Sequence, residues 1–216
     1  MNNSNGSGMA TITLNGNTAD IQMSWSGLPA EFNGGPYPHV QHIHIGAQGS
    51  CPTPDADKNG DGIVDTVEGQ PFYGEIGTTL SLKGDTSPAA GTNIKTAPGG
   101  DSLEYNRTIE LSDATAASLR EGTGVIVVHG LDPSTLSKKA QNAKSNLVPS
   151  LPLAATSPNL CGVLSAMPTG GVATGTGSTA GLENPGLLGL GAGLLGAGAA
   201  GTVLYGVKRR RATEVA

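Results

Sequence analysis

Residues 10–25 read ATITLNGNTADIQMSW. Two short runs, Ala10–Leu14 and Ala19–Trp25, alternate apolar with polar residues, and Asn15-Gly16-Asn17 between them is turn chemistry. Alternation sends successive side chains to opposite faces, which is the signature of a half-buried strand. The same pattern, alternating or β-branched, recurs at Val40–Ile45, Gly77–Leu82, Ser102–Leu111 and Val125–His129, each bounded by Gly, Pro, Asn or Asp. One short helix is predicted at Asp113–Arg120, with Ser112 as N-cap and Gly122 ending it. The fold class is therefore all-β, an antiparallel sandwich or barrel.

Composition agrees. The 216 residues leave room for one ordinary domain plus tails. Aromatics make up only 3%, so the core must come from Val, Ile, Leu and Ala, while 34 Gly and 14 Pro favour turns and short strands. Net charge is −5, with +3 from Lys208, Arg209, Arg210, Arg211 and Glu214 at the end of the chain, leaving −8 on residues 1–207. A domain this acidic offers no basic patch to nucleic acid, and that partner class is excluded.

Five parts follow from the ends of the chain: a disordered stretch over 1–9, an ectodomain over 10–166, a Gly/Thr-rich linker over 167–185, a transmembrane helix over 186–207 and a basic tail over 208–216. From Gly186 to Val207 no residue is charged. At about 1.5 Å per residue such a run crosses a hydrocarbon core of about 30 Å. Lys208–Arg211 then places the C-terminus in the cytoplasm and the ectodomain outside the cell. Gly189 and Gly193 form a G-x-x-x-G pair, a face for helix-mediated self-association. Met1–Gly8 is polar and lacks the apolar stretch of a secretory signal, so the signal is expected upstream or already removed. Nothing in the sequence names a protein partner. Cys51 and Cys161 read either as two unrelated buried thiols or as one disulfide, and an extracytoplasmic location favours the disulfide.

Asp57 to Glu68 read DKNGDGIVDTVE, which matches the twelve-residue EF-hand calcium loop at each ligand position. Asp57, Asn59 and Asp61 supply side-chain oxygens at positions one, three and five. Gly62 allows the turn at six, Ile63 offers its carbonyl at seven, Asp65 stands at nine and Glu68 closes the shell at twelve. Pro52, Pro54, Gly69 and Pro71 around the loop argue against flanking helices, so the expected role is structural: pinning a long loop.

Three of the four histidines crowd into HVQHIH. His42 and His44 stand at i and i+2 on an expected strand and so share a face, an arrangement suited to copper or zinc. His129, at the end of VIVVH, supplies a third ligand if its strand lies alongside. A histidine cluster bonded to backbone carbonyls explains the same spacing, and the two readings stay open.

In this order, His42-Ile-His44, Cys51, a long loop, Val127-Val-His129-Gly and Cys161-Gly162 resemble the copper/zinc superoxide dismutase fold and the related CHRD domain. The resemblance implies a Greek-key β-sandwich or barrel, copper on His42, His44 and His129, and a Cys51–Cys161 disulfide. Between His44 and His129 there is no histidine, so the bridging and zinc ligands of the dismutases are absent; the calcium loop occupies that stretch. The cation that precedes the second cysteine in the dismutases is also missing, since Ala154–Leu160 carries none. Three functions follow in order: a non-catalytic CHRD-like surface or envelope domain holding calcium, with copper as a second ion, a copper-only superoxide dismutase, and a copper-binding or copper-delivery protein. No catalytic residue is assigned, and hydrolase motifs such as G-x-S-x-G and H-E-x-x-H are absent.

Overall fold

The computed structural model describes residues 2, 4–32, 34–167 and 203–207. Most of the ordered secondary structure is strand. Eight strands form one sheet in the order β6-β5-β8-β9-β10-β1-β2-β7. They are β1 (Ser7–Asn15), β2 (Thr18–Ser26), β5 (Gln41–Ile45), β6 (Glu75–Thr79), β7 (Ser102–Glu110), β8 (Val125–His129), β9 (Pro158–Met167) and β10 (Val203–Val207). A two-stranded ribbon of β3 (Glu31–Phe32) and β4 (Gly35–Pro36) stands apart. The helices are short: α1 (Thr66–Tyr73), α2 (Asp113–Arg120), α3 (Lys138–Asn142) and α4 (Leu153–Thr156).

The quoted opening stretch is the hairpin β1–β2, in register from Ser7↔Ser26 to Asn15↔Thr18. On β2 the alternation places Ala19, Ile21, Met23 and Trp25 inward, and β7 pairs along its other side from Thr18↔Glu110 to Ser26↔Ser102. β5 and β8 add Ile43, Ile126 and Val128 to the same core, and α2 caps it with Ala116 and Leu119. The two edge strands of the sheet come within side-chain reach. On β7, Tyr105 and Arg107 donate to the Ser81 carbonyl just beyond β6, and Arg107 also reaches the Gly84 carbonyl. One sheet thus curls around one core.

The opposite face of β5 and β8 is buried as well. Tyr73, Val125 and Val127 pack there against Cys51 and Cys161, which form the expected disulfide with a Cα–Cα distance of 5.8 Å. Beside it, a satellite cluster of Ile63, Leu131, Leu136, Ala140, Leu153 and Ala154 supports the Asp57–Glu68 loop.

Four expectations are corrected. Within the stretch 1–9 expected to be disordered, Ser7, Gly8 and Met9 pair with Ser26, Trp25 and Ser24 and Asn2 bonds the Val64 backbone through both its amide atoms, while residues 1 and 3 lie outside the described residues. A helix, α1, begins within the Asp57–Glu68 loop and runs on despite Gly69 and Pro71. Asp65 and Glu68 form a reciprocal capping box that starts it, and a single 3-10 turn at Pro54–Ala56 precedes the loop. The strand expected at Gly77–Leu82 lies two residues earlier, at Glu75–Thr79, held by β5 through a register shift between Ile43 and His44. Val203–Val207, expected as the end of a transmembrane helix, is strand β10. It pairs with Thr11–Leu14 of β1 and with Leu164–Met167 of β9, supplying backbone partners to both. Residues 168–202 and 208–216, which hold most of the linker, the remainder of the apolar run with Gly189 and Gly193, and the basic tail, lie outside the described residues. Among the described residues no helix is long and apolar enough to cross a membrane.

Candidate metal centre

His42 and His44 leave β5 on the face turned away from the main core, two residues apart, and their ring centroids are 5.5 Å apart. β8 runs antiparallel beside β5, with His42 opposite Val127. That pairing brings His129, the last residue of β8, to 5.2 Å from the His42 ring and 6.1 Å from the His44 ring. All three residues are buried.

Each imidazole spends one nitrogen on a backbone carbonyl. His42 Nε2 donates to Gly91 O at 2.9 Å, His44 Nδ1 to Gly74 O at 2.8 Å and His129 Nδ1 to Thr156 O at 2.6 Å. A carbonyl only accepts, so these bonds fix the tautomers and leave a lone pair on the other nitrogen of every ring. Those three atoms, His42 Nδ1, His44 Nε2 and His129 Nε2, are buried without a hydrogen-bond partner. Orphaned buried polar atoms are rare because each costs about 1–3 kcal/mol. Here one ligand nitrogen from each ring lies within 4.8 Å of the others. Three nitrogens bound to a single copper or zinc ion at about 2.0 Å lie about 3.3–3.5 Å apart, so the rings need to close by at most about 1.5 Å. The donor set fits a transition metal.

Electrostatics point the same way. Burial holds His44 down to about 4 and His129 to about 3; for His129 the neighbouring His44 adds to the effect. His42 lies well below the ordinary histidine range, first through burial and then through repulsion from His129 and His44. The rings are therefore neutral at physiological pH, which is the form that binds metals. His39 is different. Its Nδ1 faces His129 O and its Nε2 faces Pro29 O, both at 2.9 Å, so it braces the His129 backbone and offers no ligand atom.

Gly74, whose carbonyl holds His44, has φ 92°, and a Cβ there would meet Ile45 O at 2.0 Å. Only glycine fits that approach. Tyr73 beside it packs edge-on against His44 with ring centroids 4.6 Å apart and is fully buried.

The calcium-loop residues are assembled differently. Asp57 accepts the amides of Gly60, Asp61 and Gly62, and Glu68 Oε1 reaches back to the amides of Lys58 and Asn59. Gly62 at position six has φ 93°, as the tight turn demands. Asp61 and Asp65 are 6% and 2% exposed, and the bonds they accept come from neutral donors: Ile63 N, Glu68 N and Asn146 Nδ2. Buried carboxylates normally pair with a cation, whereas here the loop's own amides and Asn146 satisfy them. Its carboxylates are not drawn together as the imidazoles are. Among the described residues the histidine triad is the one group of three or more His, Cys, Asp or Glu within 4.8 Å of one another.

Sequence reading missed the three carbonyl anchors and Tyr73. The only trace of them in the sequence is the glycine at 74 and at 91. Compared with known proteins, the chain matches no family profile, no curated protein and no solved structure.

Proposed function

We propose that this chain is an extracytoplasmic, CHRD-like Greek-key domain that holds copper on His42, His44 and His129 and calcium in the Asp57–Glu68 loop, with a non-catalytic role at the cell surface. The observation that carries the reading is the set of three buried imidazole nitrogens without partners, converging from two strands. Three neutral imidazoles suit copper or zinc far better than a hard cation, and a bound copper supplies one-electron redox chemistry or a transferable ion. The order H-x-H, Cys, His, Cys supports the dismutase-like reading of the fold. In the tether reading, the apolar run ahead of Lys208–Arg211 anchors the domain.

Burial is what favours holding over turnover. The three lone pairs are buried, and residues 1–207 carry −8 without the guiding cation, so approach of an anionic substrate is disfavoured. The second reading, a copper-only superoxide dismutase, draws on the same all-histidine set. The test is metal content by mass spectrometry on the full chain after exposure to calcium, copper and zinc, followed by a superoxide assay. One calcium and one copper per chain without turnover supports the proposal. Copper-dependent turnover that disappears in His44→Ala and His129→Ala replaces it with the dismutase. Absence of copper and zinc removes the metal role of the histidines. For the calcium loop, Glu68→Ala abolishes the calcium-dependent gain in melting temperature; equal melting of the unaltered protein in calcium and in chelator refutes the ion.

A further inference from the structure

The three converging imidazoles are neutral, and so are the groups they are bonded to. His42 hangs on Gly91 O, His44 on Gly74 O and His129 on Thr156 O, and the Thr66 hydroxyl donates to that last carbonyl as well. Among the described residues no carboxylate bonds any of the three rings. Asp65 and Glu75, which flank α1, are committed elsewhere: Asp65 accepts from Glu68 N and Asn146, and the exposed Glu75 accepts from Gln70. No Cys, Asp, Glu or fourth His joins the triad within the same 4.8 Å among the described residues. The rings are at most 4% exposed, on the side of β5 and β8 where Tyr73, Val125, Val127 and the disulfide pack.

Such surroundings discriminate between ions by charge. The cost of taking an ion out of water rises with the square of its charge, so a divalent ion costs about four times as much to bury as a monovalent one of the same size. A carboxylate bonded behind a ligating imidazole offsets part of that cost; a carbonyl dipole offsets less. The −8 on residues 1–207 does not replace the missing anion, because exposed charges are screened over about 8–10 Å. Coordination number points the same way. Zinc takes four ligands and copper(II) a tetragonal set, whereas the closed-shell copper(I) ion is stable with two or three. This chain presents three.

We propose that the triad is a site for a soft monovalent cation, copper(I) or silver(I), and that it discriminates against zinc and copper(II). This rests on the reading of the three histidines as a metal site and adds the charge of the ion to it. His42, His44 and His129 supply the donors; the carbonyls of Gly91, Gly74 and Thr156 orient them without lending a full negative charge. A preference for copper(I) over copper(II) is also a raised reduction potential, by about 59 mV for each tenfold difference in affinity. Gly91 lets the cause be tested. Its φ of −58° is open to any residue, and a Cβ there lies 3.4 Å from His42 Nε2. The tighter contacts are Pro88 O at 3.1 Å and Ile76 Cδ1 at 2.6 Å, the latter the far end of a flexible side chain. An acidic side chain at this position sets behind His42 the anion that the site lacks.

The experiment uses the full chain. Copper(I) affinity is measured without oxygen, in ascorbate, against a chromophoric chelator; copper(II) and zinc are measured the same way without ascorbate, and silver(I) by displacement of copper(I). The expected result is copper(I) held about 100-fold or more tightly than copper(II) and zinc, with silver(I) competing for the same place. That ratio puts the copper couple about 120 mV or more above that of the free ions. Gly91→Asp lowers the ratio about tenfold relative to Gly91→Asn, the neutral side chain of the same shape, with circular dichroism showing both folded. If neither variant folds, the ratio in the unaltered protein still decides. Zinc or copper(II) bound as tightly as copper(I) overturns the monovalent site and leaves a metal site standing. Equal ratios in Gly91→Asp and Gly91→Asn overturn the missing anion as the cause. Copper(I) binding that survives His44→Ala places the ion elsewhere and overturns the proposal too. Failure of all four ions to bind defeats the metal-site reading itself, and the preference with it.

Discussion

Lowering the pH of the metal-free protein from 7.5 to 5 unfolds it more readily, by an amount the histidine burial sets. In the folded chain His44 is held down to about 4 and His129 to about 3, mainly by burial. In the unfolded chain both return to about 6.5. Below that value the unfolded chain takes up two protons that the folded chain refuses, so the stability these residues contribute is complete above pH 6.5 and is lost as the pH falls towards 4. At pH 5 each histidine lies about 1.5 pH units below its unfolded midpoint, or about 2 kcal/mol, and the pair accounts for about 4 kcal/mol. His42 is shifted in the same direction and adds to the loss. A domain of this size has roughly 5–15 kcal/mol in all, so the change is large.

The assay is urea unfolding in chelator at half-unit steps of pH, paired with imidazole NMR of the folded state. Free carboxylates, with ordinary values near 4, stay ionised over most of this range and contribute little. The double variant His44→Gln/His129→Gln flattens the slope between pH 7.5 and 5. Copper-loaded protein resists acid until protons displace the ion, which makes metal release and unfolding coincide. A loss under about 1 kcal/mol, or folded-state imidazoles of His44 and His129 titrating near 6.5, refutes the buried, neutral triad.

Three further outcomes are expected. Reducing Cys51–Cys161, which spans 110 residues, lowers stability by up to about 5 kcal/mol on the loop-entropy estimate, read as a shift in the urea midpoint with and without reductant. Gly62→Ala meets no atom within 4 Å but forces a side chain onto φ 93°, so it costs about 1–2 kcal/mol and weakens the calcium-dependent thermal shift. Leu119→Ala empties a fully buried position of the main core and lowers stability by about 2–5 kcal/mol without altering metal content.

The strands whose side chains face a core on one side and water on the other were legible, because period two is written directly in the residues: Ala10–Leu14 and Ala19–Trp25 fall within observed strands. Val125–His129, buried on both faces, was legible from its β-branched run instead, and α2 matches its expected bounds with Ser112 bonding the Thr115 amide. β9 was missed because Pro158 and Gly162 break the pattern. The chain still pairs there, since β8 offers partners from Val125↔Val163 to His129↔Pro158, with a register shift that accommodates the proline. α1 was missed for the reverse reason. Its Pro71 and Gly69 speak against a helix, and the capping box that starts it was read only as ligands. In the site, H-x-H on a strand placed two rings on one face, but burial and tautomer come from carbonyls of Gly74, Gly91 and Thr156. A backbone acceptor leaves almost no mark on residue identity, so no reading of side chains finds it.

For the proposed metal site, what separates a store from a catalyst is access, and Tyr73 at the end of α1 packs over one of the three ligands. In a dismutase the ion must meet a small anion at every turnover. In this chain Tyr73 packs on His44, the three lone pairs are buried, and residues 1–207 carry −8. The elements that close the site are also the ones that orient it: loosening α1 enough to admit a substrate lengthens the Gly74 and Thr156 bonds that hold two of the ligands. Opening and ligation therefore oppose each other, which is why the proposed role is to hold a metal rather than to turn over an anionic substrate.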